Sequence, residues 1–195
     1  MTDTEHTTLV IVPGLRDHVN THWQTHLARE LPRTRTVPPL ERDRLSRSAQ
    51  VSALQRELSD LSGPVVLVAH SAGVLTTVHW AQQYSRRIGG ALLVVPPDFD
   101  AVLPDGYPSQ QELRQHGWLP VPRQRLPFPS TVAASTNDPL ASFARVCELA
   151  RDWGSRLVNV GPVGHLNPAT GYGRWPRAVE LIRELGLAPS PFPPG

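Results

Sequence analysis

The chain predicts an α/β fold in one domain: a mostly parallel sheet of about six strands with helices on both faces. Three observations carry this prediction. Short uninterrupted apolar runs recur, stretches with helical spacing alternate with them from end to end, and 195 residues without an internal repeat suit a single core. Continuous rather than alternating apolar runs mark strands buried on both faces.

The first run is 9–12, closed by Pro13-Gly14, and the helical pattern 22–30 follows it. A weaker strand at 34–37 stops at Pro38-Pro39, and a helix is expected over 48–61. After Pro64 the run 65–69 leads into a helix over 72–84, and the run 91–95 ends at Pro96-Pro97. The stretch 96–129 holds eight prolines and is the longest irregular part, with a short helix expected at 109–116. A strand at 131–134, a helix at 141–153, a strand at 157–160 and a helix at 174–185 complete the order. The core spans about 7–186, with flexible tails expected at 1–6 and 187–195 and no large cap domain.

Composition removes several classes of function. The sequence is 39% hydrophobic and 18% charged, and a chain of this length buries roughly 70% of its unfolded surface without disulfides or metal. Cys147 is the single cysteine, which excludes an internal disulfide framework and a cysteine-rich zinc module. No apolar run approaches the roughly 18 residues of a membrane span, and the first residues lack the basic and apolar regions of a signal peptide. A cytoplasmic protein without membrane contact is therefore expected. The net charge is only +2, from 19 basic and 17 acidic side chains, and every basic one is Arg. These are scattered among Asp and Glu, so no basic stripe marks a nucleic-acid surface.

The chemistry concentrates in loops that follow strands, where such sheets gather their functional groups. Ala69-His70-Ser71-Ala72-Gly73 joins a predicted strand to a predicted helix. It has the form of a G-x-S-x-G nucleophile elbow with Ala at the first glycine, and its small neighbours let the sharp turn close. The helix directs its amino end at Ser71, and the Ala72 N–H is placed to bind a developing oxyanion. A serine hydroxyl needs a base, and the base needs an orienting acid. His165 lies in the glycine-rich loop after 157–160, and Asp138 lies in the loop after 131–134. The chain order Ser71, Asp138, His165 is the order expected of α/β-hydrolases. His70 is the alternative base, and Asp98 and Asp100 are alternative acids; Asn137 reads as a turn former.

The second oxyanion donor is expected from the loop after the first strand, at Leu15 or Arg16, where Gly14 permits close backbone approach. Gly14, Arg16, Trp23 and His70 are the candidate substrate contacts. Phe99, Tyr107, Trp118 and Leu119 are candidates to wall an apolar acyl pocket, with packing against the sheet as the alternative reading. Trp23, Trp80, Trp153 and Trp175 are expected to pack helices on the sheet, and of these only Trp23, close to the oxyanion loop, is also a candidate substrate contact. His18, His22 and His26 recur at a spacing of four, but no Glu or Cys completes a zinc set, so neither metal nor other cofactor is expected.

With these residues in place, the sequence resembles the small single-domain serine hydrolases of the YdeN type, which include the human retinoblastoma-binding hydrolase. The resemblance covers about 9–185 and rests on Pro13-Gly14, His22-Trp23-Gln24, Val68-Ala69-His70-Ser71-Ala72-Gly73, Val95-Pro96-Pro97 and Asn137-Asp138-Pro139. Its most distinctive part is Gly164-His165-Leu166-Asn167 followed by Gly171-Tyr172-Gly173-Arg174-Trp175-Pro176. It implies an α/β-hydrolase fold and a triad at Ser71, Asp138 and His165. The Leu-x-Cys-x-Glu motif of retinoblastoma binding is absent, because Arg145 precedes Cys147 and Leu149 follows it. Hydrolysis of carboxylic esters or related small acyl compounds is thus the expected activity, by a monomer or small homo-oligomer. Thioester or amide cleavage would use the same residues, and a non-catalytic adaptor on this scaffold is the alternative.

Overall fold

A computed structural model describes residues 7–16 and 19–186; the tails expected at 1–6 and 187–195 lie outside the described residues. Six parallel strands form one sheet: β1 (Thr8–Val12), β2 (Thr34–Thr36), β3 (Val65–His70), β4 (Gly90–Val94), β5 (Ser130–Ala134) and β6 (Arg156–Asn159). Their spatial order is β2-β1-β3-β4-β5-β6. Order reverses beside β1, so the loops after β1 and β3 meet at a switch point, the place where open α/β sheets form ligand crevices.

The helices are α1 (Trp23–Glu30), α2 (Arg47–Ser59), α3 (Ala72–Ala81), α4 (Gln110–Gln115), α5 (Phe143–Trp153) and α6 (Arg177–Arg183). The twofold alternation of a strand splits the core into two layers. From β3, Val66 and Val68 join Trp23 and Leu27 of α1 and Leu181 and Ile182 of α6. Val65, Leu67 and Ala69 face the other way, among residues of α2, α3 and α5. Both layers are needed, because β3 is buried along its whole length, and each buried Val or Leu contributes about 1.5–3 kcal/mol relative to exposure.

Several boundaries shift for local reasons. The strand expected at 157–160 is not buried on both faces: β6 is a sheet edge, and Leu157 is 37% exposed. Its apolar residues serve one face: Val158 and Val160 pack against the layer that holds Trp23, Leu181 and Ile182. The last helix begins at Arg177 rather than 174, since the residue before Pro176 is disfavoured in the helical region while Pro176 itself has φ −57°. In α2, Ser46 is the N-cap, and its hydroxyl accepts from the Ala49 N–H at 3.3 Å.

The irregular stretch 96–129 is anchored rather than loose. Trp118 is fully buried, donates from Nε1 to the Leu45 carbonyl at 2.6 Å and meets Phe99 edge-on at 5.4 Å. Its own carbonyl accepts from His79 Nε2 of α3 at 3.1 Å. Ser109 and Glu112 form a capping box on α4, and Gln110 reaches back to the Phe99 carbonyl at 2.7 Å. The stretch therefore packs on α3 as part of the domain.

Burial holds His79 down to a pKa of about 4, with a smaller contribution from the charge of Arg47. A histidine depressed in the folded state stabilises fully above its unfolded value, and that stability is lost as pH falls toward the folded value. The expected result is a drop in thermal unfolding midpoint as pH falls from 6.5 to about 4. The His79 contribution should be at most about 3 kcal/mol. Melts of His79→Gln across that window should show a shallower slope; a slope equal to the parent's would refute the assignment.

Candidate active site

The crevice forms where β1, β3, β5 and β6 release their loops. Ser71 occupies the turn between β3 and α3 at φ 56° and ψ −130°, a region that costs a side chain of order 1–3 kcal/mol. Two contacts hold it there. The Ser71 N–H donates to the Val94 carbonyl at 3.0 Å, and the next turn starts with Val74 N–H donating to the Ser71 carbonyl at 2.9 Å. Close approach of β1 fixes the other side: a Cβ on Gly73 would lie 2.6 Å from the Pro13 carbonyl oxygen, and one on Gly14 would lie 3.2 Å from Ser71 Cβ. Small residues at 73 and 14 are what let the two loops touch.

His165 Nε2 lies 2.8 Å from Ser71 Oγ, and its Nδ1 lies 2.9 and 3.0 Å from the two carboxylate oxygens of Asp138. A carboxylate only accepts, so in the neutral ring Nδ1 carries the proton. The Nε2 lone pair is then left facing the serine hydroxyl, which donates to it. The side chains of His165 and Asp138 are only 5% and 2% exposed, so bulk water does not compete for this pair. Asp138 Oδ1 also accepts from the Leu140 N–H at 2.9 Å, which fixes the carboxylate plane. Such a chain of bonds is able to take the serine proton and hold the resulting imidazolium.

His70, the alternative base, has another position. Its Nε2 is 2.9 Å from the His165 carbonyl oxygen, and its ring meets His22 edge-on at 4.6 Å. Burial first, then the neighbouring His165 and His22 rings, push its pKa well below the ordinary 6.5. Neutral and bonded to a carbonyl, it carries its proton on Nε2 and donates it, which ties the elbow to the loop bearing His165. Asp98 and Asp100, the alternative acids, are drawn off to α5: Arg145 pairs with them at 3.2 and 2.5 Å.

Asn137 does more than form a turn. Its Oδ1 accepts from the Gly164 N–H at 2.6 Å and from the Ser135 hydroxyl at 3.1 Å, so it binds the loop of Asp138 to the loop of His165. Gln24 was equally hidden in the sequence. Fully enclosed, it donates from Nε2 to the Val68 carbonyl at 3.0 Å and the Val12 carbonyl at 3.4 Å, joining the ends of β1 and β3. Its place in the His22-Trp23-Gln24 motif was the only available signal.

A cavity of about 490 Å³ opens on Ser71 and His165. Gly14, Leu15, Arg16, His70 and Ala72 all line it, and so do Phe99 and Tyr107. Trp118 and Leu119 do not, because the indole is spent on the core and Leu119 packs against the same cluster. For Trp23 the packing role holds and the substrate contact does not. It is 1% exposed, sits in the core under α1 and meets Trp175 edge-on at 5.1 Å, so it does not border this cavity. His22 caps α1 through its ring, which accepts from the Gln24 N–H at 3.2 Å. Among the described residues, which exclude His18, no cluster of three His, Cys, Asp or Glu side chains is arranged to hold a metal ion. No helix among the described residues is long and apolar enough to cross a membrane.

A parallel sheet with a serine elbow after β3, and Asp- and His-bearing loops after the last two strands, defines an α/β-hydrolase. The sequence matches the serine hydrolase family over residues 9–184, and the chain belongs to that family. Among solved structures it is similar to a YdeN-like hydrolase of Pectobacterium atrosepticum, 33% identical, covering 92% of this chain and 90% of that one with a TM-score of 0.78. The YdeN protein of B. subtilis is 20% identical over 93% of this chain and 98% of its own, with a TM-score of 0.69. Est1E from Butyrivibrio proteoclasticus shares the fold at 12% identity and a TM-score of 0.65, covering 94% of this chain and 90% of that one. No curated protein matches the sequence.

Proposed function

We propose that this serine hydrolase cleaves carboxylic esters or related small acyl compounds through an acyl-enzyme on Ser71. The observation that carries the reading is the continuous hydrogen-bonded chain from Ser71 Oγ through the His165 ring to Asp138. His165 Nε2 takes the hydroxyl proton as Oγ attacks the carbonyl carbon, and the carbonyl electron pair moves onto oxygen. The tetrahedral oxyanion is met by the N–H groups of Ala72 and Leu15. Ala72 is the first residue of α3, so helix geometry gives its N–H no partner within the helix. Asp138 keeps the imidazole oriented and stabilises the imidazolium. Collapse of the intermediate breaks the acyl bond, and Nε2 returns the proton to the leaving group. Water, deprotonated by the same nitrogen, then attacks the acyl-enzyme and frees Ser71.

In this reading Gly14 and Arg16 border the substrate, and His70 supports the loop of His165. A fluorophosphonate probe tests it. The phosphonylated residue, located by peptide mass spectrometry, should be Ser71, and Ser71→Ala should abolish labelling. Unlabelled parent protein, or label on another residue, would overturn the assignment.

A further inference from the structure

We infer that Arg16 selects substrates with one arm ending in a carboxylate, so that the preferred substrates are monoanionic esters; this rests on the esterase reading above. The side chain leaves the loop whose Gly14 touches Ser71 and reaches Gly106 and Tyr107, which line the same cavity from a distant part of the chain. There its guanidinium stacks on the Tyr107 ring, 4.0 Å from the centroid, and donates to the Gly106 carbonyl at 2.5 Å. One N–H thus sets the geometry, and the remaining donors of the planar fork are left for a ligand. Among the described residues no carboxylate pairs with Arg16, and none lines the cavity. Arg44 lines the same cavity but has an interaction of its own, so the inference rests on Arg16.

Stacking matters to the chemistry. A free arginine pays rotamer entropy to bind an anion, whereas this one is already held by the ring and the carbonyl. Much of the remaining wall is apolar, with Leu15, Phe99, Leu103 and Leu140 among its residues, so a hydrocarbon or aryl spacer suits the path between the reacting carbonyl and the charge. An arm ending in an ammonium would meet the guanidinium with no acid among the described lining residues to offset the repulsion.

The experiment compares p-nitrophenyl hemiesters of succinic, glutaric, adipic and suberic acids with neutral p-nitrophenyl alkanoates of matched length. The butyrate ester of p-hydroxybenzoate, set against that of p-cresol, places the charge on the leaving arm instead. The ratio of kcat/KM, anionic over neutral, should exceed unity by about tenfold in at least one pair. It should fall by about tenfold in Arg16→Gln and partly survive in Arg16→Lys, which keeps the charge but not the fork. Raising salt from low to molar strength should also lower the parent's ratio. A ratio at or below unity in every pair, or one that Arg16→Gln leaves unchanged, overturns the inference. Turnover of the neutral esters is read separately: its absence in the parent would count against the esterase reading itself, whereas its presence with a flat ratio counts only against the role of Arg16.

Discussion

Replacing Ser71 with alanine is expected to lower kcat for a small ester such as p-nitrophenyl acetate by about four to six orders of magnitude. Substrate binding should change little, since the cavity beside Ser71 and the N–H groups of Leu15 and Ala72 proposed to meet the oxyanion are untouched by the loss of one hydroxyl. The folded state should lose only the bond to His165 Nε2, about 0.5–1.5 kcal/mol. Ser71→Gly makes a useful companion. It removes the same hydroxyl but also relieves the side chain held at φ 56°, so it should be as inactive as the alanine variant and more stable by about 1 kcal/mol. Circular dichroism melts and steady-state kinetics on the two variants separate chemistry from strain. Parent-like hydrolysis by either variant would mean that another residue is the nucleophile.

The second large effect is structural. Gly73→Ala should destabilise the protein by more than about 3 kcal/mol, or roughly 6–12 °C in unfolding midpoint for a chain of this size. Two terms oppose each other. Alanine favours a helix over glycine by up to about 1 kcal/mol. Against that, the added methyl would sit 2.6 Å from the Pro13 carbonyl oxygen and 2.9 Å from the Val12 carbonyl carbon, both backbone atoms at the end of β1. Backbone in a buried strand cannot rotate aside as a side chain can, so the steric term wins. Relief would require α3 to move away from β1, carrying Ser71 away from the loop of Gly14 and Leu15. Activity per folded molecule should therefore fall together with the melting temperature. A variant as stable as the parent would show that the contact between α3 and β1 is looser than these distances.

The strands at 9–12, 65–69, 91–95 and 131–134 were legible because each is a short apolar run between turn residues, and a strand buried on both faces permits nothing else. The strand at 157–160 was legible as a strand but not as an edge, since position within a sheet is set by which strands find it as a neighbour. Ser71 announced itself through the small residues around it. Asp138 and His165 could be ranked above Asp98, Asp100 and His70 by chain order and by the family resemblance, but not by any contact. The distinction between them is spatial: Arg145 draws two acids toward α5, while Leu140 and His165 hold the third.

Trp23 and Trp118 show the opposite case. Both are large aromatics near a loop of interest, which by composition fits a pocket wall or a core equally well. Packing placed both in the core and left Phe99 and Tyr107 at the cavity. Asn137 looked like an ordinary turn residue because its partner, the Gly164 N–H, is far along the chain.

By itself the sequence determined the α/β alternation, the serine elbow and the chemical types after the last two strands, since these depend on local periodicity and on residues adjacent in the chain. Only the tertiary structure decided which carboxylate meets His165, where the tryptophans go, and that Arg16 crosses to Tyr107. Those contacts join residues separated by tens of positions, and their geometry is fixed by strand order and side-chain packing, which no local stretch of sequence encodes.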